Sequence, residues 1–150
     1  MADSGQPRGG TRFVRRDVVA TPALAAAIRQ DFAAWLAEHF TLDRVRVSDI
    51  VLAVNEALAN VVDAAYAHTP EPGAMHVYAD YDQKSAVLTV IVADDGRWRP
   101  AATRDSNAVR GRGIPLMNAL TDRTEIEPTD AGTRVCLQWN DITVLPSATV

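Results

Sequence analysis

The chain has 150 residues, 47% of them hydrophobic and 23% charged, with a formal net charge of −4. That length predicts one domain, burying about 70% of the unfolded chain's surface. The acidic balance argues against a nucleic-acid-binding surface, and the single cysteine, Cys136, excludes an intrachain disulfide or a cysteine-based metal cluster.

Residues 1–10, MADSGQPRGG, are rich in Gly, Pro and Ser and predict a disordered tail. The folded unit is expected over 11–142, with 143–150 as a second tail. Phe13, Val14, Val18 and Val19 around Arg15 and Arg16 predict an edge strand over 11–19. Thr21-Pro22 reads as a helix start, with Thr as the cap and Pro at the first position. Leu24, Ile28, Phe32, Trp35 and Leu36 then form an apolar stripe that ends near His39. A second helix, capped by Thr41 or Asp43, is expected to run to about Ala67, before the break His68-Thr69-Pro70-Glu71-Pro72-Gly73.

Met75, Val77, Ala79 and Tyr81 alternate as in a half-buried strand. Asp82-Gln83-Lys84-Ser85 predicts a hairpin turn into a further strand ending near Ala93. Residues 97–110 are polar and long for a connection, as expected of a lid or a mobile loop. A helix from about Ile114, a strand near Thr124–Glu127, a turn over Pro128–Gly132 and a last strand containing Cys136 complete the chain. This order predicts an α+β two-layer sandwich, with helices on one face of a mixed, mainly antiparallel sheet. Its other face would be left to solvent or a partner. Residues 1–20 lack a leader-type apolar segment, and no apolar run reaches about 18 residues, so a cytoplasmic protein without a membrane span is expected.

Three segments carry chemistry. In VLAVNEALANVVDAAY, Glu56 and Asn60 are four residues apart and share one side of a helix whose apolar positions are Ile50, Val54, Leu58, Val61 and Val62. Together they offer oxygen ligands for Mg²⁺, and Glu56 is a candidate general base; the same pair is also common on solvated helices. In VLTVIVADDGRWRP, a buried strand delivers Asp94 and then Gly96 into a turn. In VRGRGIPLMNALTD, Gly111-Arg112-Gly113 precede an amphipathic helix, where backbone N–H groups and the helix dipole favour an anion. A plain turn and a flexible helix entry are the alternatives for these two. His39, His68 and His76 lack ligand spacing, and no Ser sits in Gly-x-Ser-x-Gly. Trp35, Trp98 and Trp139 read as packing residues, with Trp98 also a candidate contact to nucleotide or partner.

The order Glu-x-x-x-Asn on a helix, strand–Asp-x-Gly, Gly-x-Gly opening a helix, and Gly132-Thr133 entering a strand resembles one family across residues 18–140. It is the ATP-binding domain of histidine kinases, gyrase-type ATPases and certain chaperones. Within it, the chain is most similar to stand-alone anti-sigma regulatory factors, which are switch-protein serine kinases. The resemblance implies ATP and Mg²⁺ as cofactors, and Glu56 as the base or water-positioning group. It implies Asn60 as the Mg²⁺ ligand and Asp94 as the acceptor for the adenine amino group, with Gly96 allowing the base to approach. Gly111, Arg112, Gly113 and Ile114 would wrap the phosphates, and Gly132 and Thr133 would lie near the adenine. It implies as partners a sigma factor to be held and an anti-sigma-factor antagonist to be phosphorylated on Ser or Thr, with a homodimer as a reasonable assembly.

The chain departs from the family pattern in three places. Trp98 replaces the last glycine of Asp-x-Gly-x-Gly, the glycine loop is reduced to Gly-Arg-Gly, and Val61-Val62-Asp63-Ala64-Ala65 lacks the His that many relatives carry. These departures bear on catalysis more than on fold. They define the alternative, a non-catalytic module that keeps the ATP fold and sequesters a protein partner.

Overall fold

The computed structural model describes residues 11–67, 69–96 and 115–145. β1 (Thr11–Val19) leads into α1 (Pro22–His39), the short β2 (Phe40–Thr41) and α2 (Arg44–Asn60). A π-helical turn (Val61–Ala65) continues α2. β3 (Ala74–Asp82) and β4 (Val87–Asp94) form a hairpin, and β5 (Arg123–Thr129) and β6 (Gly132–Trp139) a second one; β7 (Thr143–Val144) follows. Residues 115–120 are helical.

Both long helices start where the chain offers a capping oxygen. The Thr21 hydroxyl accepts the Leu24 N–H at 3.2 Å, with Pro22 in the first turn, and the Asp43 carboxylate accepts the Arg46 N–H at 2.8 Å. Of the two cap candidates for α2, Asp43 is the one used. The stripe of α1 buries Ile28, Phe32, Trp35 and Leu36 with Ala25, while Leu24 stays largely exposed.

The main sheet has the order β1-β3-β4-β6-β5, and every pairing in it is antiparallel, so the expected parallel component is not found among the described strands. α1 and α2 pack on each other and on one face of it. Strand alternation builds that face from Met75, Val77, Ala79 and Tyr81 of β3, Leu88, Val90 and Val92 of β4, and Val135, Leu137 and Trp139 of β6, all buried. Cys136 falls on the opposite side, paired with Ile91 and Glu125, and is half-buried.

Phe13, Phe32, Trp35, Phe40 and Tyr81 stack or meet edge-on, with ring centroids 5.1–5.7 Å apart, fixing α1 against the β1 side of the sheet. β7 pairs with β2, and the Tyr81 hydroxyl donates to the Ile142 carbonyl at 2.6 Å. These contacts carry folded structure past residue 142 into the stretch expected to be a tail. The tail 1–10, the expected lid 97–110 and residues 146–150 lie outside the described residues.

Candidate functional site

Alternation in β4 decides the position of its terminal acid. Leu88, Val90 and Val92 face the helices, so Asp94, two residues on, faces them as well. Only 4% of Asp94 is exposed, and one carboxylate oxygen accepts the Gly96 N–H at 3.0 Å. Directly across the β4–β6 ladder lies Thr133, 2% exposed. Asp94 and Thr133 are the two buried polar residues of the described core. A buried carboxylate is unfavourable without donors, and the Gly96 N–H is one that Asp94 has at the lip of this otherwise apolar face.

The two flanking glycines are required by contact. Gly132 has φ of +152°, and a side chain there would put its Cβ 1.9 Å from the Asp94 carbonyl oxygen. A Cβ on Gly96 would lie 2.3 Å from the Ala65 carbonyl oxygen. The turn after β4 is therefore pressed against the π-helical end of α2. That contact brings Asp94, Gly96 and Thr133 beside the helix bearing Glu56 and Asn60.

Glu56 and Asn60 are half-buried at the border of the α2 apolar stripe, whose centre is Ile50, Ala53, Val54, Ala57 and Leu58. The Asn60 amide nitrogen is buried without a hydrogen-bond partner, one of two such side-chain atoms among the described residues, with Trp35 Nε1. An orphaned buried amide is costly. This amide lies one turn from Glu56, at the entry to the π turn. The amide's oxygen is a hard donor of the kind that binds Mg²⁺. Among the described residues no three His, Cys, Asp or Glu side chains group to hold a metal, so a cation here would depend on ligand oxygens besides Asn60.

Tyr66, at the end of the π turn, has no counterpart among the residues singled out from the sequence. Its hydroxyl donates to the Ala74 carbonyl at 2.6 Å and accepts the Asp95 N–H at 2.9 Å. Its ring lies where side chains on Gly73 or Gly96 would have to be. Tyr66 therefore ties together the end of α2, the start of β3 and the turn after Asp94. Burial, followed by the nearby Asp94 and Asp95 carboxylates, raises its pKa above the ordinary 10.0, against the lowering effect of the Asp95 N–H. The available signal was an aromatic residue six positions after Asn60, ahead of a Pro- and Gly-rich break.

Gly111, Arg112, Gly113 and Ile114 lie outside the described residues, as does Trp98. The helical residues 115–120 that follow the glycine motif are anchored: Met117 is fully buried, and the Leu120 carbonyl accepts Trp139 Nε1–H at 2.8 Å.

The fold has known counterparts. The structure is similar to the crystal structure of the RsbU and RsbW domains of Rv1364c from Mycobacterium tuberculosis, with a TM-score of 0.66 and 24% identity. The match covers 96% of this chain and 35% of that one, so the chain spans little more than a third of its length, and the likeness is one of fold. Residues 18–139 match the histidine kinase-like ATPase domain. The run from β1's end through β6 is thus accounted for, and the chain belongs to the histidine kinase-like ATPase domain family.

Proposed function

We propose that the chain binds Mg-ATP and acts as an anti-sigma regulatory factor, a serine/threonine kinase that sequesters a sigma factor and phosphorylates an anti-sigma-factor antagonist. The observation that carries the nucleotide part is the buried Asp94, set between Gly96, Gly132 and Thr133 against the end of α2. Its carboxylate is an acceptor of the kind an exocyclic amino group would meet, and Gly96, without a side chain, lets the turn after β4 close on Ala65 and Tyr66 beside it. The regulatory role is supported by the motif order and by likeness to a chain whose described parts include an RsbW domain.

In this reading Asn60 would hold Mg²⁺ through its carboxamide oxygen, and Gly111, Arg112, Gly113 and Ile114 would surround the phosphates. Bound Mg²⁺ supplies charge neutralisation on the transferred phosphoryl group. Glu56 accepts the proton of the antagonist's Ser or Thr hydroxyl as that oxygen bonds to the γ-phosphorus. The bond from phosphorus to the bridging oxygen breaks, and ADP leaves. Positioning and charge stabilisation account for most of the rate.

Calorimetry with Mg-ATP on the wild type and Asp94→Asn tests the pocket. The substitution keeps shape and removes a charged acceptor, so affinity should fall roughly tenfold or more. Equal affinity in a folded mutant would refute the assignment of Asp94. Transfer of the γ-phosphate to an antagonist, abolished by Glu56→Ala, separates the kinase from a non-catalytic sequestering module.

A further inference from the structure

His76 lies on β3, on the sheet face opposite the helices, paired with Ala93. Its side chain is 14% exposed, although its two charged neighbours, Asp17 and Asp95, are mostly exposed. Imidazole Nδ1 accepts the backbone N–H of Asp17 at 3.0 Å. With its lone pair so engaged, Nδ1 carries no proton, and the neutral ring must carry it on Nε2. Nε2 lies 3.2 Å from Asp95 Oδ2, which accepts it.

The Asp17 end of this bridge has an unusual backbone, and the Asp95 end is held by further hydrogen bonds. Asp17 has φ of +56° although it is not glycine, and the β1–β3 register shifts between Arg15 and Val18. The bulge turns the Asp17 N–H toward the His76 ring. At the other end, the Asp95 N–H is bonded to the Tyr66 hydroxyl, and Gly96 N–H to the Asp94 carboxylate. Asp95 is thus gripped by its amide from the helix side and by its side chain from the far side of the sheet. Asp94 is the residue just before it.

We infer that His76 is a positioning residue for nucleotide recognition: it fixes the Asp94–Gly96 turn through Asp95 and ties that turn to the β1 bulge. The inference rests on the reading of Asp94 as the adenine-recognising acid. A purely structural His76 would serve only to pin the bulge through Nδ1. The two roles use different nitrogens and can be separated by two amide side chains. Gln places a donor near the Nε2 position and keeps the bond to Asp95. Asn places an acceptor near the Nδ1 position and keeps the bond to Asp17.

The experiment compares the full chain with His76→Gln, His76→Asn and Asp95→Ala, reading Mg-ATP affinity, thermal midpoint, and hydrogen exchange at the Asp95 and Gly96 amides. His76→Asn and Asp95→Ala should each weaken Mg-ATP roughly tenfold and speed exchange at both amides, while His76→Gln stays within about threefold of wild type. A result in which His76→Asn keeps affinity and exchange while His76→Gln loses stability assigns His76 to the bulge alone and overturns the inference. So does unchanged affinity in all three variants. Should both His76 variants unfold, Asp95→Ala, at an exposed side chain, decides the matter from the other end of the same bond. If the folded wild type binds no Mg-ATP, the nucleotide reading fails on its own, and the exchange rates alone decide whether His76 holds the turn.

Discussion

Tyr66 shows how one side chain organises the site. Removing its hydroxyl in Tyr66→Phe leaves the Ala74 carbonyl and the Asp95 N–H without their partner. A loss of about 1–3 kcal/mol is expected in urea unfolding, together with weaker Mg-ATP binding. The pH dependence has a definite sign. Because the folded-state pKa is raised, the protonated phenol's contribution is complete below about pH 10 and is lost as pH rises through the raised value. Tyr81, whose pKa is raised by burial and by Asp82, acts in the same direction. Stability measured at about pH 9 and about pH 11 should therefore fall in the wild type and fall less in Tyr66→Phe. At the opposite lip, Gly132→Ala would drive a Cβ into the Asp94 carbonyl and should cost about 3 kcal/mol or more by the same assay. Asp94 and Gly132 were legible in the sequence because a strand period and a Gly-Thr pair mark them. Tyr66 was not, because its partners Ala74, across the break, and Asp95, past two strands, meet it only in the fold.

Among the elements, helix starts were the easiest to read and the end of α2 the hardest. Thr21 and Asp43 supply the cap oxygen immediately before an apolar repeat, a purely local device. Asp43→Ala should cost about 1 kcal/mol in thermal or urea unfolding, with little effect on nucleotide binding. The expected uninterrupted helix to about Ala67 instead changes to π geometry at Val61, whose N–H is shared between the Ala57 and Leu58 carbonyls. No residue type announces such a turn, since it is set by packing: Val61 and Ala65 are both buried, and the Ala65 carbonyl meets Gly96. Deleting the exposed Asp63 would narrow the π turn to ordinary helix and draw the Ala65 carbonyl away from Gly96. The variant should still unfold cooperatively but lose Mg-ATP binding in calorimetry. Undiminished affinity would show that the π turn is dispensable.

At the scale of the whole molecule, the site joins segments far apart in the chain: α2, the end of β4 and the start of β6. A ligand held by all three should stabilise the native state by mass action, about 2.7 kcal/mol at a hundredfold excess over Kd. For a domain of this size that corresponds to roughly 5–10 °C in thermal midpoint. Asp94→Asn should abolish most of that shift, as read by differential scanning fluorimetry. Among the described residues, no helix is long and apolar enough to cross a membrane. The sheet face away from the helices carries Val14, Tyr78, Ile91 and Cys136 beside ion pairs such as Arg12–Asp80 and Arg134–Glu127.

By itself the sequence determined whatever is encoded over short range: the caps, the strand alternation that turns Asp94 inward, the placing of Glu56 and Asn60 one turn apart, and the order of motifs that specifies the family. Only the tertiary structure decided the strand order, the all-antiparallel pairing, the extension through β7, the π turn, and the bonds that Tyr66 and His76 make to Asp95. The physical reason is the range of the interactions. Periodicity and capping are settled within a few residues, whereas a hydroxyl or imidazole finds its partner only after distant strands are brought side by side.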